Sequence, residues 1–264
     1  MAAPVISNPI LDRMRADQPA LGMSVRLGRS GDIALIAKTT GHDFLFIDMQ
    51  HALFSVETVG HIAQTALACG ISPLARVLGV DDPTTPLLLD NGVTGIVFPD
   101  VSTAAQARRA VERAKFPPVG KRSVAGGYPQ FEFRAVPVAE AVPALNAAAL
   151  VVVMIETVEG LANIEAIAQV EGVDVIHVGA NDLLTAMGKP GKFGDPEIMA
   201  AIERVITVAR KHGKFAGVGG DRHVERQAGF IRQGARFLTT HSDVAFLMAE
   251  ASRVVGELRK AFAT

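Results

Sequence analysis

Two acidic residues, Glu156 and Asp182, each lie directly past an apolar run of the kind that forms a buried strand. Glu156 closes the run at 150–155, and Asp182 lies just past the run at 173–178. The residues between these runs have the composition of a helix that returns the chain. The two strands are therefore predicted to be parallel neighbours, about 5 Å apart, with both carboxylates at one edge of the sheet.

Two carboxylates that converge in this way suit a hard divalent cation such as Mg²⁺ or Mn²⁺, which prefers oxygen ligands. Each carboxylate alone fits the start of a helix equally well, because the helix dipole favours negative charge there. The spacing of one strand–helix–strand unit between Glu156 and Asp182 favours metal binding over capping when the two residues are considered together.

Three further polar residues stand at unusual positions. Arg76 ends an otherwise apolar run, and a buried arginine needs an anion, either a nearby carboxylate or a substrate oxyanion. His51 follows an apolar run by three residues and, in a barrel, would lie near Arg76, which favours a catalytic over a structural role. Asp90 ends an apolar helix, where the helix dipole disfavours a carboxylate, so we expect it to have a specific partner.

Eight apolar segments alternate with helical patterns along the 264 residues. Strands are predicted near residues 23, 46, 74, 96, 152, 175, 216 and 238. Mostly continuous apolar strands in eight such units predict an α/β fold, a (β/α)₈ TIM barrel that forms a single domain over 1–264. A doubly wound parallel sheet is the alternative. In a barrel, the polar residues at the carboxyl ends of the strands are the catalytic candidates.

The composition excludes several classes of function. A formal net charge of -1 gives no electrostatic basis for binding nucleic acid or an anionic membrane. No apolar run reaches the roughly 18 residues that a membrane span needs, and the N-terminus lacks the pattern of a secretory signal. Cys69 is the only cysteine, which excludes an intramolecular disulfide and a cysteine-based zinc site. We therefore expect a cytoplasmic protein.

The alternating pattern pauses between the fourth and fifth predicted strands. Prolines and glycines interrupt the stretch at 117–136, which contains Arg122. A loop of this length inside a compact domain is usually functional, so we predict an active-site loop there. The last helix is predicted at about 244–262. The glycines at 217–220 follow the seventh strand but do not form a dinucleotide-binding fingerprint.

Several longer segments are distinctive in combination: FLFIDMQHALFS (44–55), PLARV (73–77), LLLDNGVTGIVFPDV (87–101), AKFPPVGKRSV (114–124), VVVMIETVEGLANIEAI (151–167) and VEGVDVIHVGANDLLTAMG (170–188). Together they resemble the class II, metal-dependent pyruvate aldolases of the 4-hydroxy-2-oxoheptanedioate aldolase family. That family lies within the superfamily of phosphoenolpyruvate- and pyruvate-binding barrels. The resemblance covers nearly the whole chain.

The resemblance implies a role for each matching residue. Glu156 and Asp182 match the ligands of a divalent metal ion, which would be Mg²⁺, Mn²⁺ or Co²⁺. Arg76 matches the arginine that contacts the keto or enolate oxygen of bound pyruvate. His51 matches the catalytic histidine, and Asp90 matches the acid that pairs with it.

Further implications concern the substrate and the assembly. Arg122 matches a loop arginine near the site, and the backbone amides of Ala180, Asn181 and Asp182 would bind the pyruvate carboxylate. Members of the family form homo-oligomers, typically hexamers, that exchange the last helix between neighbours. We therefore expect a homohexamer whose helix at about 244–262 is exchanged between subunits.

The implied reaction is the reversible cleavage of a 4-hydroxy-2-oxo acid to pyruvate, or a close 2-oxo acid, and an aldehyde through a metal-stabilised enolate. Oxaloacetate decarboxylation is the alternative within the superfamily, because it forms the same enolate and needs no base at His51. A coenzyme A ester lyase is less favoured, since no basic groove for a nucleotide is evident. A non-catalytic, metal-binding barrel is the alternative from a different class.

This chain departs from the family at three places. Gln50 replaces the glutamate of the usual Asp-x-Glu-His motif, which removes one negative charge. Met154 replaces a glutamine two residues before Glu156, and alternation along the strand directs both side chains to the same face. The loop after Arg122 also differs from the usual one. These departures leave the metal and enolate residues in place and affect the choice of aldehyde.

Overall fold

The computed structural model describes residues 6–263, which fold into a closed barrel of eight parallel strands. The strands are β1 (Ala20–Val25), β2 (Phe44–Asp48), β3 (Ser72–Arg76), β4 (Gly95–Phe98), β5 (Leu150–Ile155), β6 (Val175–Gly179), β7 (Phe215–Gly219) and β8 (Ala235–Ser242). Each strand pairs with the next, and β8 pairs with β1 to close the barrel. The predicted TIM barrel is thus confirmed, and the doubly wound sheet is wrong. Residues 1–5 and 264 of the predicted domain lie outside the described residues.

Helices connect the strands and cover the outside of the barrel. Within the described residues they are α1 (Pro9–Arg15), α2 (Asp32–Thr39), α3 (Val56–Cys69), α4 (Thr85–Asp90), α5 (Ala104–Ala114), α6 (Val138–Ala148), α7 (Val158–Ala162), α8 (Ile164–Ala168), α9 (Ala180–Ala186), α10 (Pro196–Lys211), α11 (Val224–Gln233) and α12 (Asp243–Phe262), with a 3₁₀ turn at Pro129–Phe131. The helix ends follow local chemistry. The Ser55 hydroxyl caps α3 by accepting from the Thr58 amide at 3.1 Å, and Gly70 ends that helix in the left-handed conformation.

Most of the strands are apolar on both faces because each face is buried against a different layer. Phe46 and Val152 belong to the cluster that fills the barrel, whereas Ile47 and Val153 belong to the larger cluster between the strands and the helices. Successive side chains of a strand point to opposite faces, which accounts for this division. The burial of both faces explains why the strands are continuous apolar runs rather than alternating ones.

Helix α1 covers the amino end of the barrel. Ile10 and Met14 of this helix are buried in the same cluster as the barrel interior. The Asn8 side-chain amide donates to the carbonyl of Ala148 at 2.6 Å, just before β5. The functional site described below opens at the opposite end, where the carboxyl ends of the strands meet.

The segment at 117–136 lies at the amino end of the barrel. This position corrects the prediction of an active-site loop, because the segment does not border the active-site face of its own chain. It connects α5 to α6 and therefore precedes β5, and helix-to-strand connections of a barrel lie at the face opposite the active site. The Gln130 side-chain amide donates to the carbonyl of Leu89 at 2.7 Å, before β4. Tyr128 and Phe131 are buried in a small apolar cluster that anchors the segment.

Helix α12 matches the predicted last helix but has no buried residue. It contacts β1 and β8 only along part of its length and leaves large apolar side chains exposed, among them Leu247 and Phe262. None of the helices within residues 6–263 combines the length and hydrophobicity that crossing a membrane requires.

Candidate active site

A cavity of about 220 Å³ opens at the carboxyl ends of the strands. It brings together residues that lie far apart in the sequence. Its lining includes Ser24, Arg26, Asp48, His51, Arg76, Met154, Glu156, His177, Ala180, Asn181, Asp182, Arg222, Thr239 and His241. Every predicted site residue except Asp90 and Arg122 is in this lining.

Glu156 is buried at the end of β5, where it acts as a pocket residue rather than a helix cap. Thr157, not Glu156, caps the following helix, because its hydroxyl accepts from the Gly160 amide at 2.9 Å. One carboxylate oxygen of Glu156 accepts from the Asp100 amide at 3.0 Å. A Cβ on Gly179 would overlap this carboxylate, so the neighbouring strand must carry glycine there.

The ionisation of Glu156 is unfavourable in the protein alone. Burial raises the pKa of Glu156 to about 7. The negative charges of Asp100 and Asp182 also raise this pKa, whereas the hydrogen bond from the Asp100 amide lowers it. A buried carboxylate beside a second carboxylate is a site that a cation would stabilise.

Asp182 lies in the first turn of α9, directly after β6, and faces the same cavity as Glu156. Among residues 6–263 no cluster of three or more acidic, histidine or cysteine side chains is positioned around one metal position. The chain thus offers a pair of carboxylates rather than a closed cage. Such a pair fits Mg²⁺ or a similar ion, which keeps several positions for water and substrate oxygens.

Arg76 is held by Asp48 in a two-bond fork. Its Nε donates to Oδ1 at 3.0 Å and its Nη2 donates to Oδ2 at 2.8 Å. Arg76 is 8% exposed and Asp48 is 1% exposed, so the pair is largely removed from water. Burial disfavours the charged carboxylate, but the hydrogen bond and charge of Arg76 outweigh that effect and lower the pKa of Asp48. The anion predicted for Arg76 is therefore a carboxylate of the neighbouring strand.

His51 is fixed through its backbone while its ring faces the cavity. Its amide donates to Asp48 at 3.2 Å, and its carbonyl accepts from Arg26 Nη2 at 3.2 Å. Asp48 thus contacts both Arg76 and the turn that carries His51. The predicted proximity of His51 to Arg76 is confirmed, because both line one cavity next to the same carboxylate.

Asp90 and Arg122 pair with each other away from this cavity, which corrects the predicted pairing of Asp90 with His51 within one chain. Arg122 Nη2 donates to Asp90 Oδ1, and the Arg122 guanidinium lies 4.3 Å from the centre of the Phe116 ring. Asp90 ends a helix rather than a strand, so it lies near the amino end of β4. The expectation that Asp90 needs a specific partner is confirmed, and that partner is Arg122.

His177 on β6 points into the barrel and forms part of the floor of the cavity. It lies beside Met154 in the register of β5 and β6. Burial lowers the pKa of His177 to about 3, with the charge of Arg76 acting in the same direction, so the ring is neutral. Its Nδ1 is buried without a hydrogen-bond partner among the described residues. A polar ring therefore stands next to the methionine that replaces the family's glutamine.

Sequence reasoning also missed the polar residues at the ends of β1, β7 and β8. Arg26 and Arg222 line the cavity, and His241 of β8 lines it as well. The same signal could have found them, since each is a polar residue at or just past the carboxyl end of a strand.

The chain is similar to known aldolases in sequence and in fold. The family model described as HpcH/HpaI aldolase/citrate lyase matches residues 26–249. A 4-hydroxy-4-methyl-2-oxoglutarate aldolase from Chaetomium globosum is 41% identical over 217 residues, which cover 81% of this chain and 80% of the relative. A hydroxypyruvate/pyruvate aldolase from Delftia acidovorans is 31% identical over 259 residues, 98% of this chain and 95% of the relative. The crystal structure of an HpcH/HpaI aldolase from Desulfitobacterium hafniense superposes with a TM-score of 0.91 at 28% identity, covering 96% of this chain and 97% of that one.

Proposed function

Because this chain belongs to the HpcH/HpaI aldolase/citrate lyase family, we propose that Glu156 and Asp182 hold a divalent metal ion in a pyruvate-binding site. The chain is a carbon–carbon lyase, an aldolase that cleaves a 4-hydroxy-2-oxo acid into pyruvate and an aldehyde or keto acid. The observation that carries the proposed site is the convergence of Glu156, Asp182, Arg76 and His51 on one cavity.

The metal proposal rests on the chemistry of the donor set. Burial raises the pKa of Glu156, and the negative charges of Asp100 and Asp182 add to that effect. A hard ion of the Mg²⁺, Mn²⁺ or Co²⁺ type would take these two oxygen donors and leave positions for substrate oxygens. When bound, the ion supplies Lewis-acid stabilisation of the negative charge that develops on the substrate's C2 oxygen.

Arg76 is proposed to face the same C2 oxygen. Asp48 occupies its Nε and Nη2, whereas Nη1 makes no hydrogen bond to a described residue. A fixed guanidinium with one free N–H face needs no reorganisation as negative charge grows, which is the property that makes such groups effective in catalysis.

The first-turn amides of α9, at Ala180, Asn181 and Asp182, lack intrahelical acceptors and are proposed to bind the pyruvate carboxylate.

His51 is proposed as the base that takes the proton from the 4-hydroxyl group in the cleavage direction. Its ring faces the cavity, and the hydrogen bonds of its backbone to Asp48 and Arg26 hold the turn that carries it. In the condensation direction the protonated ring returns the proton to the new alkoxide. These steps use no contact with Asp90 in the same chain.

A panel of aldehydes and keto acids with pyruvate tests this proposal, with Mg²⁺, Mn²⁺ or Co²⁺ added to protein freed of metal by a chelator. We expect condensation that needs a divalent ion and is lost in Glu156→Gln. Oxaloacetate serves as the second substrate, because its decarboxylation forms the same enolate without a base at His51. If His51→Ala retained full aldol turnover, the base would be another residue.

We also propose that the protein is a homo-oligomer, a homohexamer in the family's usual form, with α12 exchanged between neighbours. The proposal is supported by the absence of any buried residue in α12, whose exposed apolar side chains include Leu247, Leu258 and Phe262. Light scattering on the intact chain and on Leu247→Lys/Leu258→Lys tests it, since both substitutions should shift the mass toward smaller species.

The assembly offers a way to reconcile Asp90 and Arg122 with the roles that the resemblance implies. Both lie at the amino end of their own barrel, so a contact with a catalytic cavity would have to be made to the cavity of a neighbouring subunit. Mixed oligomers of His51→Ala and Asp90→Asn test this arrangement. Recovery of activity on mixing two inactive variants would support shared sites, and no recovery with proven subunit exchange would contradict them.

A further inference from the structure

His177 is a polar side chain in the floor of the cavity that is only 1% exposed. Its ring packs between those of Phe46 and Phe237, at centroid distances of 6.2 and 5.3 Å. Neither ring nitrogen makes a hydrogen bond to another residue within 6–263. Burying a polar group without a partner costs free energy, so we expect a bound ligand to supply the missing partner.

The two ring nitrogens of His177 have different surroundings. A Cβ on Gly217 would lie 2.6 Å from Nδ1, and a Cβ on Gly219 would lie 2.7 Å from Nε2. Gly219 ends β7 and lines the cavity, whereas Gly217 lies deeper in the strand and is not part of the lining. Nε2 is therefore on the cavity side of the ring, and Nδ1 faces the interior of the barrel. The two glycines of β7 leave the space that the ring occupies.

The imidazole is neutral, and its proton belongs on Nε2. Burial lowers the pKa of His177 to about 3, and the charge of Arg76 acts in the same direction. A neutral imidazole has one N–H donor and one bare nitrogen. A proton on Nδ1 would bury a donor that has no acceptor among the described residues, which is rarer in proteins than a bare acceptor. His177 thus presents an N–H donor to the cavity without adding positive charge.

The space beside Nε2 leads to the backbone amides that are proposed to bind the pyruvate carboxylate. Gly220 follows Gly219 with a φ of 93°, in the left-handed region. A Cβ on Gly220 would lie 3.1 Å from the amide nitrogen of Asn181 and 3.4 Å from that of Ala180. Nε2 and these amides thus border the same short stretch of backbone. A carboxylate has two oxygens that each accept more than one hydrogen bond, so one carboxylate can accept from both sides.

We propose that His177 is a substrate-binding residue whose Nε2–H donates to the carboxylate of the pyruvate half. The assignment rests on the proposed function, because the metal site and Arg76 determine which end of the substrate reaches these amides. Met154, the register partner of His177, lines the same floor with a side chain that has no donor. The carboxylate keeps its charge while the enolate forms. Loss of this bond should therefore raise KM and leave kcat nearly unchanged.

Two amide variants test the contact, because glutamine places its side-chain nitrogen near the position of Nε2 and asparagine near that of Nδ1. Calorimetry in the presence of Mn²⁺ measures pyruvate binding without turnover. We expect His177→Phe and His177→Asn to weaken pyruvate binding by about 10- to 100-fold, as the loss of a hydrogen bond to a charged group predicts. His177→Gln should retain most of the affinity. His61→Phe on the exposed face of α3 is the control and should bind pyruvate as the native chain does.

The affinity for Mn²⁺ alone, measured in the same variants, separates this contact from the metal site and should stay at the native value. Native pyruvate affinity in His177→Phe, or equal losses in the glutamine and asparagine variants, would overturn the contact. A fall in kcat with an unchanged KM would also overturn it, because the donor would then act on the developing enolate oxygen. Pyruvate binding that depends on His177 in a native chain that cleaves no 4-hydroxy-2-oxo acid would overturn the proposed reaction instead.

Discussion

Arg76 and Asp48 meet through two parallel hydrogen bonds at the carboxyl ends of adjacent strands, with donor–acceptor distances of 3.0 and 2.8 Å. The two residues are direct partners in the register of β2 and β3. The same carboxylate accepts from the His51 amide and lies 3.3 Å from Nε of Arg26. One buried carboxylate therefore sets the orientation of the guanidinium and of the turn that carries the proposed base.

Asp48→Asn is expected to reduce both activity and stability, because the amide cannot accept both bonds of the guanidinium and leaves a buried charge without its partner. Loss of one member of a buried pair costs about 3–5 kcal/mol of unfolding free energy. We expect aldol turnover to fall by more than that of Asp43→Asn, a control whose carboxylate lies at the amino end of β2. Urea unfolding and steady-state kinetics measure the two effects. Native kinetics in Asp48→Asn would show that the fork does not position Arg76.

The pH dependence of stability should report on Glu156. Its folded pKa of about 7 lies above the ordinary value of 4.5, so the folded chain without metal holds the proton more tightly than the unfolded chain. The contribution of this group to the free energy of unfolding is therefore greatest below pH 4.5. It falls by on the order of 3 kcal/mol as the pH rises to 7. A metal ion that replaces the proton removes this loss.

We therefore expect a fixed concentration of Mn²⁺ to raise Tm more at pH 8 than at pH 5.5. In Glu156→Gln, the increase in Tm that Mn²⁺ causes should be small at both pH values. Thermal melts with Mn²⁺ and with a chelator provide the measurement. An equal Mn²⁺ shift at both pH values in the native chain would contradict the linkage between metal binding and Glu156.

Gly179→Ala should damage the site without touching a polar group. The added Cβ would overlap the Glu156 carboxylate, and moving that side chain away would disturb the hydrogen bond that its other oxygen accepts from the Asp100 amide. We expect weaker Mn²⁺ binding and slower turnover with an intact barrel. Gly229→Ala on α11, where a Cβ would meet only the end of the Arg232 side chain at 3.9 Å, is the matched control. Unchanged Mn²⁺ affinity in Gly179→Ala would mean that Glu156 is not held where the metal proposal needs it.

His177→Phe is expected to keep or raise Tm, because it removes a buried nitrogen that has no partner among the described residues. The aromatic ring can occupy the same space between Phe46 and Phe237, which already pack on the imidazole. Loss of the polar ring from the cavity floor should weaken pyruvate binding. Calorimetric titration and thermal melts measure both properties. A marked fall in Tm would indicate that the imidazole is satisfied in the folded protein.

The barrel could be predicted from sequence because most of the eight strands, such as β2, β4 and β5, are buried on both faces and are continuous apolar runs. Glu156, Arg76 and His51 could be assigned to the site because each lies at or just past the carboxyl end of a strand, where the active site of such a barrel forms. The site roles of Asp90 and Arg122 came from the resemblance to the family rather than from this rule, and both residues precede a strand, so they lie at the amino end of their own barrel. The length of the segment at 117–136 predicted an active-site loop, but its place between α5 and α6 puts it at the amino end of its own barrel, so it would have to act on a neighbouring subunit.

The orientation of His177 could not be predicted for a different reason. On β5 the acidic Glu156 marks which alternate residues face the site, so Met154 could be assigned to the cavity. No polar residue provides such a reference on β6, where Val175 and Ile176 are both buried. Pairing at the rim, such as that of Arg222 with His241, depends on loop geometry that residue order does not encode.

Proton exchange at the methyl group of pyruvate tests the central proposal most directly, because it reports enolate formation without any aldehyde. In D₂O with Mn²⁺, the native chain is expected to exchange the methyl protons of pyruvate, as followed by NMR, and to stop when a chelator is added or Glu156 is replaced by glutamine. Exchange no faster than the buffer rate with every divalent ion, or exchange that persists unchanged in Glu156→Gln with chelator, would contradict metal-dependent enolate formation at this site.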